Sequence, residues 1–193
     1  TNEYQSPTTK SKLRILVTTA QSNGELLKIE LENQPDDQGP PYHYHPDQEE
    51  TFTVLEGRLA LRVNGKEFEL GPGESATAKR NEAHTFWNPG QEVVRFTSEH
   101  RPAHGFEGFI TSLYDLDYDG KVDDAGSPQL LQLMALFKPR SGQQFLQGPP
   151  QFLQQIGIAV LGRVGLMMGR PGTYVSARRE AGEGSVYHRE NRL

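Results

Sequence analysis

Alternation of apolar and polar side chains dominates the first half of the chain. Leu13, Ile15 and Val17 alternate with other residues, and so do Leu27, Ile29 and Leu31. This is the two-residue period of a half-buried strand. A longer strand run, ETFTVLEGRLALRV, covers 50–63 and is broken at Gly57. Asn64-Gly65 then stands between two alternating runs, a strong signal for a two-residue hairpin turn. Gly71-Pro72-Gly73 and Asn88-Pro89-Gly90 mark further turns, and the segments beside them predict strands at about 75–79, 83–88 and 93–98. A polar loop rich in Pro, Asp and Gly fills 33–41. Many short strands at even spacing predict a sandwich or barrel.

The period changes near residue 100. Phe106, Phe109, Ile110, Leu113 and Leu116 recur at helical spacing. A loop, DYDGKVDDAGSP, precedes a short apolar run over 130–137, and a second loop ends in Gly148-Pro149-Pro150. Proline favours a helix start, so 150–169 reads as a second, longer helix. The expected layout is mainly β: a barrel over 12–100, and over 101–193 a helical extension packed on the barrel or on a dimer partner.

Composition narrows the chemistry. The 193 residues have 34% hydrophobic content, 20 Gly and 13 Pro, and a formal net charge of −5. A mildly acidic chain without a basic block or a DNA-binding helix pair argues against nucleic-acid binding. There is no cysteine, which excludes disulfides and thiolate metal sites and leaves His, Asp and Glu as candidate ligands. The N-terminal segment has no apolar run of the signal-peptide kind, and a cytoplasmic location is the default expectation.

The stretch GPPYHYHPDQEETFTVLEG carries the main chemical signal. His43 and His45 are two apart, so on a strand they point to the same side. Glu50 shares parity with Phe52 and Val54, the natural inward residues, whereas Glu49 shares parity with Thr51 and Thr53 and is expected on the wet face. His84 shares parity with Phe86 and lies across the Asn64-Gly65 hairpin, where antiparallel strands can bring it beside His43. Three imidazoles and one carboxylate suit one divalent ion of Fe, Mn, Co, Ni, Cu or Zn better than Mg or Ca.

These residues resemble the two motifs of the cupin superfamily. The first matches at His43, His45, Glu50 and Gly57; its opening glycine is Gly39, three residues before His43 rather than five. The second matches at Gly73, His84 and Asn88, with Lys79 and Asn81 where Pro and Gly are expected. Asn81 can adopt the left-handed turn conformation. The resemblance covers roughly 12–99 and implies a double-stranded β-helix (jelly-roll) barrel, a metal held by His43, His45, Glu50 and His84, and a homodimer.

Among cupins this ligand set looks like that of quercetinase-type dioxygenases, which implies an oxidoreductase acting on a small aromatic or enolic substrate. Glu50 would then double as catalytic base by swinging off the metal into an apolar barrel. A metal-dependent isomerase or lyase, or a non-catalytic small-molecule binder, are the alternatives. Inward positions Phe52, Val54, Leu59, Leu61 and Phe86 are the expected substrate pocket. Arg58, Arg62 and Arg95 are expected on a solvated face.

Weaker patterns complete the reading. Asp115, Asp117, Asp119, Gly120 and Asp123 match the start of a calcium loop, but Gly126 replaces the closing glutamate, so the segment reads as a solvated acidic loop. His100 and His104 are four apart, yet Pro102 argues against a helix there, and both are expected on the surface. The apolar helix at 152–168 is short for a membrane span; burial against the barrel or a partner is the expectation, and membrane insertion the lesser one. His188 belongs to a charged tail expected to fray.

Overall fold

The computed structural model describes residues 2–177. In chain order the strands are β1 (Glu3–Gln5), β2 (Lys12–Val17), β3 (Leu27–Asn33), β4 (His43–Tyr44), β5 (Glu49–Glu56), β6 (Leu59–Val63), β7 (Lys66–Leu70), β8 (Ser75–Ala78), β9 (His84–Trp87) and β10 (Val94–Arg101). After them come helix α1 (Phe106–Tyr118), helix α2 (Leu130–Phe137), strand β11 (Phe145–Leu146) and helix α3 (Gln151–Met167). The strands form two antiparallel sheets, ordered β1-β2-β3-β10-β5-β8 and β11-β4-β9-β6-β7. This is the mainly β jelly-roll barrel with C-terminal helices that the periodicity and the motif resemblance imply.

The two-residue period sets the register. On β5, Glu50, Phe52 and Val54 are buried while Glu49, Thr51 and Thr53 turn outward. The outward hydroxyls bond across to the neighbouring strand, Thr51 to Thr77 and Thr53 to Ser75, each at 2.8 Å. Phe52 and Glu50 lie opposite Ser98 and His100 on β10. Asn64 and Gly65 both take positive φ, 49° and 79°, and close the β6–β7 hairpin as their identities require.

Four parts of the chain depart from the expected pattern. β1 and β11 are only three and two residues long, too short to leave a periodic signal. β10 runs on to Arg101, so His100 lies on a strand. The acidic segment is not all solvated loop: Asp115 and Asp117 lie on α1 and are buried. His188 falls outside the described residues.

The helices assemble in two steps. Phe106, Ile110 and Tyr114 of α1 pack against the barrel core. Phe109 and Leu116 join Leu136 of α2 in a second, smaller core. α3 then packs on α2 through glycines. A Cβ at Gly162 would lie 2.8 Å from the Met134 carbonyl oxygen, and one at Gly165 only 2.5 Å from that of Leu131. The outer face of α3 stays exposed at Phe152, Ile156, Val160 and Met167. No helix among the described residues is long and apolar enough to cross a membrane.

The glycine contact makes a matched pair of substitutions informative. Gly165→Ala forces the α2–α3 backbones apart and is expected to destabilise by about 1–3 kcal/mol. Gly157→Ala, on the same helix with nothing within 4 Å of the added carbon, is expected to stabilise by about 0.5–1 kcal/mol. Chemical denaturation of the full chain measures both, and equal effects would contradict the packing.

Candidate metal centre

Pairing of β4 with β9 places His43 opposite His84. His45 follows on the same side, and Glu50 enters from β5 of the facing sheet. One ligand atom from each of His43, His45, Glu50 and His84 lies within 4.8 Å of all the others, and all four residues are buried. The loop before His43 is held close to β9. Gly39 has φ 62° and sits so near Phe86 that a Cβ would fall 1.9 Å from its carbonyl oxygen.

Each imidazole is oriented by a backbone carbonyl. Nδ1 of His43 faces the Pro41 oxygen at 2.8 Å, Nδ1 of His45 the Gln143 oxygen at 3.1 Å, and Nδ1 of His84 the Glu82 oxygen at 2.9 Å. A carbonyl only accepts, so each Nδ1 carries the hydrogen, and a neutral ring presents its Nε2 lone pair to the centre. Nε2 of His45 is buried without a hydrogen-bond partner. It lies 3.8 Å from Glu50 Oε2, and His84 Nε2 lies 3.1 Å from the same oxygen. Buried acceptors facing one another are unfavourable unless a cation or a proton sits among them. A nitrogen and oxygen donor set of this kind fits a divalent transition metal.

The electrostatics agree. Burial pushes His43 down to about 3, helped by the neighbouring His84 and His45. Burial also acts downward on His84, but its hydrogen bond to Glu50 and the Glu50 charge outweigh that and raise its pKa. Burial acts to raise Glu50, yet the surrounding imidazoles, His100 first and then His45 and His84, hold its carboxyl well below the usual carboxylate range.

A second layer holds the other carboxylate oxygen. Ser98 Oγ lies 2.7 Å from Glu50 Oε1 and 2.9 Å from His100 Nε2. His100 Nδ1 faces Gln48 Oε1 at 3.3 Å, while the Gln48 amide nitrogen donates to the Pro102 and Ala103 carbonyls. Those two carbonyls fix the Gln48 amide, so His100 Nδ1 carries the hydrogen. With His100 neutral and Glu50 ionised, the Ser98 hydroxyl has one proton for two acceptors, and the chain is one proton short of a full set of hydrogen bonds. Burial, opposed by the Glu50 charge, pushes His100 down to about 4, which keeps it in that state at neutral pH.

His100 therefore corrects the surface expectation. It is fully buried and stacked on Phe106 at 4.0 Å, while His104 is exposed. The readable signal was parity: Val94, Phe96, Ser98 and His100 alternate as one inward row. The surroundings also bear on the role expected of Glu50. Ser98 holds one carboxylate oxygen, His84 and His45 face the other, and the residue borders the adjoining cavity.

Beside the cluster lies a cavity of about 280 Å³ lined by His43, Glu50, His100, Phe86 and one face of α1. Of the expected pocket residues only Phe86 lines it. Phe52, Val54, Leu59 and Leu61 are almost wholly buried in the barrel core, because that end of the barrel is filled by side chains from both sheets. α1 supplies the apolar wall instead. Arg58 and Arg95 pair with Glu69 and Glu56 at the surface, and Arg62 lies over the Tyr42 ring.

Comparison with known proteins bears on this site. The Cupin domain family profile matches residues 30–98. An oxidoreductase of Arthrobotrys oligospora is 30% identical over 118 residues, 57% of this chain and 46% of that protein. The HTH-type transcriptional regulator PuuR of Escherichia coli is 37% identical over 54 residues, 28% of this chain and 29% of the regulator. Epoxidase atD of Aspergillus terreus is 42% identical over 60 residues, 31% of this chain and 18% of the epoxidase. The chain thus spans less than half the length of the curated relatives it matches. All four candidate ligands fall inside the segment that the Cupin domain profile matches, and that segment forms most of the two-sheet barrel.

Proposed function

We propose that this protein is a metal-dependent oxidoreductase, a dioxygenase of the quercetinase type acting on a small aromatic or enolic substrate. The observation that carries the reading is the continuity between the three-histidine, one-glutamate cluster and an apolar, aromatic-walled cavity. When bound, a redox-active divalent ion would supply Lewis acidity toward a substrate oxygen and electron exchange with O₂. Apolar walls from Phe86, Phe106 and Phe109 would receive the substrate skeleton and keep water from it. The similarity to an oxidoreductase and an epoxidase supports the class.

The protein's own part in the reaction is proton handling. An enol or phenol must lose its hydroxyl proton, and the nearest acceptor is the Glu50 carboxylate. Its low pKa makes it a transient holder. Ser98 and neutral His100 offer the onward path: a proton reaching Oε1 passes through the Ser98 hydroxyl to His100 Nε2 and completes every hydrogen bond in the chain. A non-catalytic sensing module is the second reading, supported by the similarity to PuuR. It expects ligand retention without turnover.

Metal binding must displace the proton from His84, the ligand whose pKa is raised. Apparent Zn²⁺ affinity is therefore expected to rise with pH and to level once His84 is neutral, while His43 contributes nothing across about pH 5 to 8. Competition against a chelating dye measures this, and a flat profile would contradict it. Iron- or nickel-loaded protein is expected to consume O₂ with some member of a flavonol and catechol panel; no uptake across the panel would overturn the dioxygenase reading. Ser98→Ala is expected to keep its metal but lose about 100-fold in turnover. Unchanged turnover would remove the relay.

A further inference from the structure

The cavity has two chemically different ends. Inward residues Ile29, Leu31 and Asn33 of β3 all line it. Ile29 lies beside Ser98 of β10, and Asn33 beside Val94. Four residues of strand span about 13 Å. On the opposite wall the lining runs along α1 from Phe106, stacked on His100, to Asp117, about 16 Å of helix. Between the ends the wall is apolar: Phe109, Ile110 and Leu113.

The end away from the histidines is built from two carboxylates and a row of hydroxyls. Ser6 donates to Asp117 Oδ2 and Thr8 to Asp117 Oδ1. Ser11 donates to Asp37 Oδ2 at 3.1 Å. Thr9 bridges them, 2.8 Å from the Ser6 hydroxyl and 2.9 Å from that of Ser11. Each hydroxyl has a single proton, and all of these protons point within the cluster. What these hydroxyls and carboxylates leave toward the cavity is acceptor capacity, beside the amide of Asn33. Neither Asp37 nor Asp117 forms an ion pair with a described residue. Tyr114 also lines the cavity, and no hydrogen bond ties its hydroxyl to a described residue.

We propose that the molecule this site accepts is elongated and mainly apolar, with an oxygen donor at the histidine end and a hydrogen-bond-donating head, a hydroxyl or an ammonium, received by Asp37, Asp117 and Tyr114. The proposal rests on the metal reading for its first end only. It disfavours a carboxylate or phosphate head, which would meet the negative charge of Asp37 and Asp117. It also explains why the N-terminal segment folds across the barrel to meet α1: residues 6–11 complete the polar end.

The test is calorimetric binding to the Zn²⁺-loaded protein, where redox turnover does not interfere. The probes are catechol and 4-alkylcatechols with chains of four to eight carbons, ending in methyl, hydroxyl, amine or carboxylate. A terminal hydroxyl or amine is expected to tighten binding about tenfold or more over methyl at the best chain length, and a carboxylate to weaken it. The hydroxyl–amine ranking tells a neutral from a cationic head. Asp37→Asn and Tyr114→Phe are expected to remove that gain while leaving catechol itself unaffected; Tyr114→Phe deletes a hydroxyl that bonds to nothing described, so its fold should hold. Methyl-ended probes binding as well as hydroxyl- and amine-ended ones at every length would overturn the proposal. Catechol failing to bind the loaded protein would instead overturn the reading of an aromatic oxygen donor at the histidine end, and this proposal with it.

Discussion

Three imidazole nitrogens and one carboxylate oxygen face each other among buried side chains, and each imidazole already donates its Nδ1 hydrogen to a carbonyl. That arrangement is electrostatically poor by itself. It becomes favourable when a cation occupies the centre, and short of that when a proton is shared between His84 and Glu50. The barrel geometry imposes this arrangement. β4 is only two residues long, yet it is pinned on one side by β9 and on the other by β11, and those two pairings position His43 and His45.

The C-terminal extension is part of the site. Gln143, just before β11, supplies the carbonyl that orients His45. Phe106 lies flat on His100. The far wall of the cavity is the buried face of α1. Removing the extension would take β11 from beside β4, strip α1 from the barrel core and leave His45 without the carbonyl that orients it. The helices beyond α1 stand further out, with α2 carrying α3 through close glycine contacts.

The sequence made the ligand cluster legible because a strand has a period of two. Parity alone separated Glu50 from Glu49 and set His84 beside Phe86. His100 obeyed the same rule, but its spacing from His104 raised only the question of a helix, which Pro102 argued against, and its parity with Ser98 went unused. The pocket was misplaced for a different reason. Inward side chains at the β5–β6 end, such as Phe52 and Leu61, fill the barrel completely, and the open space lies where α1 covers the other end. That cover is a long-range contact. Asp117 meets Ser6 across a sequence separation of 111 residues, which no local pattern records. The acidic segment likewise read as solvated because its burial depends on the N-terminal strand and on α1 docking.

Whether the four side chains share one ion is decided by metal analysis. Protein stripped with chelator, reloaded with Co²⁺ and desalted should retain about one ion per chain and show ligand-field absorption of nitrogen and oxygen coordination. Both signals should vanish in a folded His45→Ala variant. Folded wild-type protein that retains no ion after reloading would contradict the account.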